Sequence, residues 1–143
     1  MPKVRLTHTY RFSASHRLHA PQFSDEENQR IFGRCNNPHG HGHNYVVAVS
    51  VEGEVNPATG LVVEPAALDA FVATHAVLPY DHKYLNADLP DFDGVCATTE
   101  NLAYSIRDRL LAAWPATFPA LAHLRVQETK RNGIELPVIE GVV

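Results

Sequence analysis

The chain has 143 residues, 45% of them hydrophobic, which is enough for one domain with a packed core. Its formal net charge of -4 leaves no basic footprint for nucleic acid or an anionic membrane, and its apolar runs fall short of a membrane span. Two cysteines are too few for a disulfide scaffold, and the opening Met1-Pro2-Lys3-Val4-Arg5 lacks a signal-peptide core, so the expectation is a single cytoplasmic domain over residues 1–143.

Residues 4–16 alternate. Val4, Leu6, His8, Tyr10, Phe12, Ala14 and His16 fall on one side, and Arg5, Thr7, Thr9, Arg11, Ser13 and Ser15 on the other. This predicts a half-buried strand with His16 at its C-terminal end on the apolar face. A lone histidine there reads first as a core residue. Residues 17–38 are polar and punctuated by Pro21, Gly33 and Pro38. They predict a long loop with a short helical turn near Ser24–Asn28, and loops of this length tend to carry function.

The stretch from Gly33 to Tyr45 concentrates the chemistry. It sets Cys35 ahead of His39, His41 and His43, and His41, His43, Tyr45, Val47, Val49 and Val51 share one face of a strand predicted over residues 39–52. If that strand pairs antiparallel with the first, His16 meets His41 and His43 where one strand ends and the other begins. Three imidazoles would then converge, and zinc is the natural ion for nitrogen ligands with a position left open. His39 lies nearer the loop, where a turn role is at least as good a reading as ligation.

Asn56-Pro57 to Gly60 is turn chemistry, Leu61–Val63 a short extended piece, and Pro65 opens a helix carrying Leu68, Phe71, Val72 and His75 until Pro79. The polar loop over residues 79–86 holds Asp81 and His82, an acid–base pair able to reach a third group such as Cys35. Thr98 caps a second helix whose first turn carries Glu100, and Leu102, Ala103, Ile106, Leu110 and Ala113 form its stripe. Cys96 reads as packing. Residues 121–129 alternate again and put Glu128 on the apolar face, where a carboxylate needs a partner such as a ligand with paired N–H donors. Asn132-Gly133 turns the chain into a last strand whose Pro137 marks an edge. The elements predict an α+β fold, ββααββ, with two helices on one face of a four-stranded antiparallel sheet and exposed edges that favour association.

These residues resemble the 6-pyruvoyl-tetrahydropterin synthase and 6-carboxy-tetrahydropterin synthase family of the tunnelling fold. The resemblance rests on Phe12-Ser13-Ala14-Ser15-His16-Arg17-Leu18, Phe32-Gly33-Arg34-Cys35-Asn36-Asn37-Pro38, His41-Gly42-His43-Asn44-Tyr45, Asp81-His82-Lys83, Thr98-Thr99-Glu100-Asn101 and Glu128-Thr129, in family order along nearly the whole chain. It implies Zn2+ on His16, His41 and His43. It makes Cys35 the catalytic thiol, with Asp81 and His82 completing the proton-transfer group. Glu128 matches the pterin anchor, and Thr98, Thr99 and Glu100 the adjoining pocket stretch. It also implies a homohexamer of two stacked trimers, with active sites between subunits, so that Cys35 meets Asp81 and His82 of a neighbour.

The implied substrate is 7,8-dihydroneopterin triphosphate, and the reaction a zinc-dependent carbon–oxygen lyase step that releases triphosphate. Arg17 and Lys83 are candidates to hold that triphosphate. The Cys-to-His spacing and Thr-Thr-Glu-Asn resemble the pyruvoyl type, on the route to tetrahydrobiopterin. The carboxy type of queuosine biosynthesis and a non-catalytic zinc-binding oligomer are the alternatives. His39 stands where Asn is expected, Tyr80 where Leu is usual before Asp-His, Glu64 where Asn or Asp is usual, and residues 138–143 lack an aromatic.

Overall fold

The alternation of the first segment is realised as strand β1, Lys3–His16, and that of the histidine segment as β2, His41–Glu54. They pair antiparallel from Lys3 opposite Glu54 to His16 opposite His41. A two-residue strand β3, Lys83–Tyr84, runs parallel to β1 along its free edge. Strand β4, Ala120–Thr129, pairs antiparallel with β2, and β5, Asn132–Pro137, with β4. The order is β3-β1-β2-β4-β5. This is a computed structural model, and it describes residues 2–139; the C-terminal segment noted above for lacking an aromatic runs beyond them.

The fold is α+β, with two corrections to its expected count. The sheet has five strands, one of them parallel, because two residues are too few to show an alternation. Besides the two expected helices, α2, Pro65–Val72, and α4, Thr99–Ala113, there are α1, Asp25–Phe32, and a single turn α3, Leu85–Asp88. Leu61–Val63 forms no strand; Leu61 makes one bridge to Asn56. No helix among the described residues is long and apolar enough to cross a membrane.

One face of the sheet is covered by α2, prolonged by a wide π-type turn over Ala73–Val77, and by α4. Tyr45, Val47, Val49, Val51, Leu124 and Val126 from the sheet meet Leu68, Val72, Leu102, Ile106 and Leu110 from the helices, and all are fully buried. Each such side chain contributes about 1.5–3 kcal/mol on leaving water. The core runs up to the end of β1, where His16 is as buried as its apolar neighbours.

The Tyr80 departure has a structural reason. Its ring is buried and stacks on Phe12, with centroids 5.3 Å apart, and its hydroxyl hydrogen-bonds Ser105 at 2.7 Å. Ser105 in turn donates to Asp91, which Arg109 grips through two nitrogens at 2.8 and 2.6 Å. A buried tyrosine hydroxyl needs a partner, and this chain of groups provides it. It also fixes the chain just before Asp81.

Helix α1 is longer than the turn expected. Ser24 caps it by accepting from the Glu27 N–H at 3.1 Å. Its one buried residue is Asn28, whose amide accepts from Ala20 N–H at 2.8 Å and donates to the carbonyls of Ala20 and Ser24 at 3.0 Å. A polar staple rather than an apolar stripe holds it, so periodicity gave no sign of its length. A 3-10 turn over Gly33–Asn36 follows, entered by Gly33 at φ +56°, and carries Cys35.

Candidate active site

The antiparallel pairing of β1 with β2 brings three imidazoles to one end of the sheet. The ring centroids of His16 and His43 are 4.9 Å apart, and those of His41 and His43 are 4.7 Å apart. The 3-10 turn carries Cys35 over them, with Sγ 3.7 Å from His43 Nε2, and β4 brings Glu128 Oε1 to 3.5 Å from that same nitrogen. Ligand atoms of His16, Cys35, His43 and Glu128 all lie within 4.8 Å of one another. His41 sits on the rim of this group, beside a cleft that also touches Arg34.

The tautomer of His16 decides what the group can bind. Its Nδ1 is 2.7 Å from the Ala97 carbonyl, which can only accept, so Nδ1 carries the proton and Nε2 the lone pair. That Nε2 is buried and has no hydrogen-bond partner among the described residues. Burial pushes the pKa of both His16 and His43 down, against the Ala97 hydrogen bond at His16 and the Glu128 charge at both. Neutral imidazoles with free lone pairs are the metal-binding form. An orphaned lone pair beside a second imidazole, a thiol and a carboxylate fits a zinc-type cation, and a backbone carbonyl orienting the far nitrogen is the usual support of such a ligand.

Comparison with known proteins decides the family. The profile described as "6-pyruvoyl tetrahydropterin synthase" matches residues 5–137. The chain is 49% identical over 121 residues to the 6-pyruvoyl tetrahydrobiopterin synthase of Homo sapiens, covering 85% of this chain and 82% of that one. It is 46% identical over 127 residues to that of Poecilia reticulata, covering 89% and 85%. The solved structure of Caenorhabditis elegans 6-pyruvoyl tetrahydropterin synthase superposes with a TM-score of 0.85 at 36% identity, covering 96% of this chain and 97% of that one. The chain belongs to the 6-pyruvoyl tetrahydropterin synthase family.

In this synthase-family chain, the Thr98-Thr99-Glu100 stretch opens α4. Thr98 caps the helix by accepting from Asn101 N–H at 3.2 Å, while buried Thr99 donates its hydroxyl to Glu128 Oε2. Thr99 thus holds one carboxylate oxygen and leaves the other towards His43. Glu100 is exposed in the same turn.

Asp81 and His82 lie elsewhere. They pair with each other, His82 Nδ1 to Asp81 Oδ2 at 3.0 Å, and Asp81 Oδ1 accepts from Ser13 N–H at 2.9 Å. The Ser13 N–H is the main cause holding the Asp81 carboxyl below the usual range, with the His82 contact adding to it. His82 adopts φ +60°, an uncommon conformation outside glycine, fixed by its N–H donating to the Ser13 carbonyl at 2.6 Å. Its side chain is 81% exposed, on a cleft of about 530 Å³ that also touches Ser13, Ser15, Asn44 and Lys83. Nothing joins this pair to Cys35 among the described residues of one chain.

Two supports escaped the sequence reading. One is the Ala97 carbonyl, a backbone group with no side-chain signature. The other is Asn36, 3% exposed beside Cys35. Asn36 Nδ2 donates to the Leu18 carbonyl at 2.7 Å, its carbonyl accepts from Arg17 Nε at 3.1 Å, and the Cys35 carbonyl accepts from Leu18 N–H at 2.7 Å. Together these bonds tie the thiol-bearing turn to the end of β1. A buried polar side chain next to a candidate nucleophile is the signal that could have found it.

His39 is exposed, and its N–H donates to Asn37 Oδ1 at 3.1 Å within the turn. Replacing it with asparagine is expected to leave the metal content of the purified protein unchanged by elemental analysis. A halved content would make His39 a ligand.

Proposed function

We propose that this chain is a zinc-dependent carbon–oxygen lyase, a single domain over residues 1–143, that converts 7,8-dihydroneopterin triphosphate to 6-pyruvoyl-tetrahydropterin with loss of triphosphate. The observation that carries the reading is the buried, unpartnered Nε2 lone pair of His16 beside His43, Cys35 and Glu128, in a chain of this family. The names of the relatives favour the pyruvoyl product over the carboxy one.

His16, His41 and His43 would hold the zinc, which when bound would supply a Lewis acid for the hydroxyls of the substrate side chain. Glu128 accepts hydrogen bonds from the amino-pyrimidine edge, and Thr99 keeps that carboxylate from turning. Cys35, as thiolate, removes a carbon-bound proton, and the internal reduction of the pterin ring needs no redox cofactor. Burial, with the Glu128 charge adding to it, pushes the Cys35 thiol up within one chain, so its ionisation needs positive charge nearby. In the hexamer that the family resemblance implies, His82 of a neighbouring copy, paired with its Asp81, takes the proton of the thiol and so supplies that charge.

The test is metal removal. Protein dialysed against a chelator is expected to stop releasing triphosphate from 7,8-dihydroneopterin triphosphate and to recover on adding about one zinc per chain. Undiminished release from metal-free protein would refute the zinc-dependent reading.

A further inference from the structure

A pterin triphosphate brings several negative charges, so some part of the site must receive them. Neither basic residue that the sequence offered is well placed for it. Arg17 spends its Nε on the Asn36 carbonyl at 3.1 Å and borders a cleft on the Cys96 side. Lys83 borders the cleft shared with His82, which reaches His43 but also carries the carboxylate of Asp88.

A third cleft, of about 590 Å³, opens beside the imidazoles and is lined by Gln29, Gly33, Arg34, Asn37, Pro38 and His41. Among the described residues no carboxylate lines it. Arg34 is its permanently charged group, is exposed, and has no ion pair among the described residues. Asn37 uses its side-chain oxygen on His39 N–H, which leaves its amide N–H groups to donate. Glycine at Gly33 leaves open space beside Arg34, since a Cβ there would meet nothing within 4 Å.

The cleft also adjoins the rest of the site through His41. Glu128 is 3.5 Å from His43, the His43 ring is 4.7 Å from the His41 ring, and His41 borders the cleft. A ligand gripped by its ring edge at Glu128, with its side chain crossing His43 and His41, delivers the end of that chain here. Guanidinium is the side chain best matched to phosphate oxygens, through two parallel N–H donors.

We propose that this cleft is the triphosphate subsite and that Arg34 is its anchoring cation, an inference that rests on the pterin-triphosphate reading above. The ligand chemistry is an oligophosphate ester extending from a pterin side chain.

The zinc-loaded protein is titrated by fluorescence with neopterin and with neopterin triphosphate, whose oxidised ring does not react. Wild type is expected to bind the triphosphate form more tightly. Arg34→Met is expected to weaken the triphosphate form about tenfold or more while leaving neopterin within about twofold. Equal binding of both ligands by wild type overturns the subsite alone, as does an Arg34→Met variant that matches wild type or weakens both ligands equally. A selective loss in Lys83→Met with none in Arg34→Met overturns it in favour of the cleft that Lys83 borders. Failure of wild type to bind either ligand refutes the pterin reading, and the subsite falls with it.

Discussion

Cys35→Ala is expected to lower turnover of 7,8-dihydroneopterin triphosphate by about 10²–10⁴-fold, the usual contribution of a positioned acid–base group, while zinc content stays at the wild-type level. The thiol sits 3.7 Å from His43 Nε2 and within the group of four potential ligand atoms. Two roles therefore compete for it. As the base it is free to take a proton, and its removal leaves three imidazoles to hold the ion. As a ligand it would take zinc with it when removed. Steady-state kinetics beside elemental analysis separates the two. Turnover near wild type would take the thiol out of the mechanism, and loss of zinc would make it a ligand. Alanine is a small change at a half-buried turn fastened through backbone atoms and Asn36, so the fold is expected to survive it.

Glu128→Ala is expected to weaken pterin binding by about 10–100-fold, from loss of charge-assisted hydrogen bonds, with metal content and assembly unchanged. The carboxylate faces the same ambiguity as the thiol, because Oε1 lies 3.5 Å from His43 Nε2. Its other oxygen is held by the Thr99 hydroxyl. That bond steadies the carboxylate, as matching two N–H donors on a flat ring would require. Ligand titration, light scattering and zinc analysis on one preparation read the three properties together. Loss of zinc rather than of pterin affinity would move Glu128 into the metal's coordination shell.

The two long strands were legible because period-two alternation is a direct consequence of the pleat, and one residue of slip would have moved His16 away from the core. The antiparallel register then put His16 opposite His41. Glu128 was legible for the same reason, as a charge on an apolar face. What stayed hidden is held by polar atoms rather than periodicity. Helix α1 hangs on the amide of Asn28, the cysteine turn on Asn36, and the His16 tautomer on a carbonyl of Ala97. Strand β3 is two residues long. The Tyr80 departure made sense only once Ser105, Asp91 and Arg109, distant in sequence, stood beside it. The contact between Asp81 and His82 was equally unreadable, since neighbours in sequence touch only when the backbone bends, here at φ +60°.

The most direct test is to incubate the zinc-loaded protein with 7,8-dihydroneopterin triphosphate and to identify the products by mass spectrometry. The expected result is 6-pyruvoyl-tetrahydropterin together with inorganic triphosphate. Recovery of intact substrate, or of the 6-carboxy product in its place, would contradict the account.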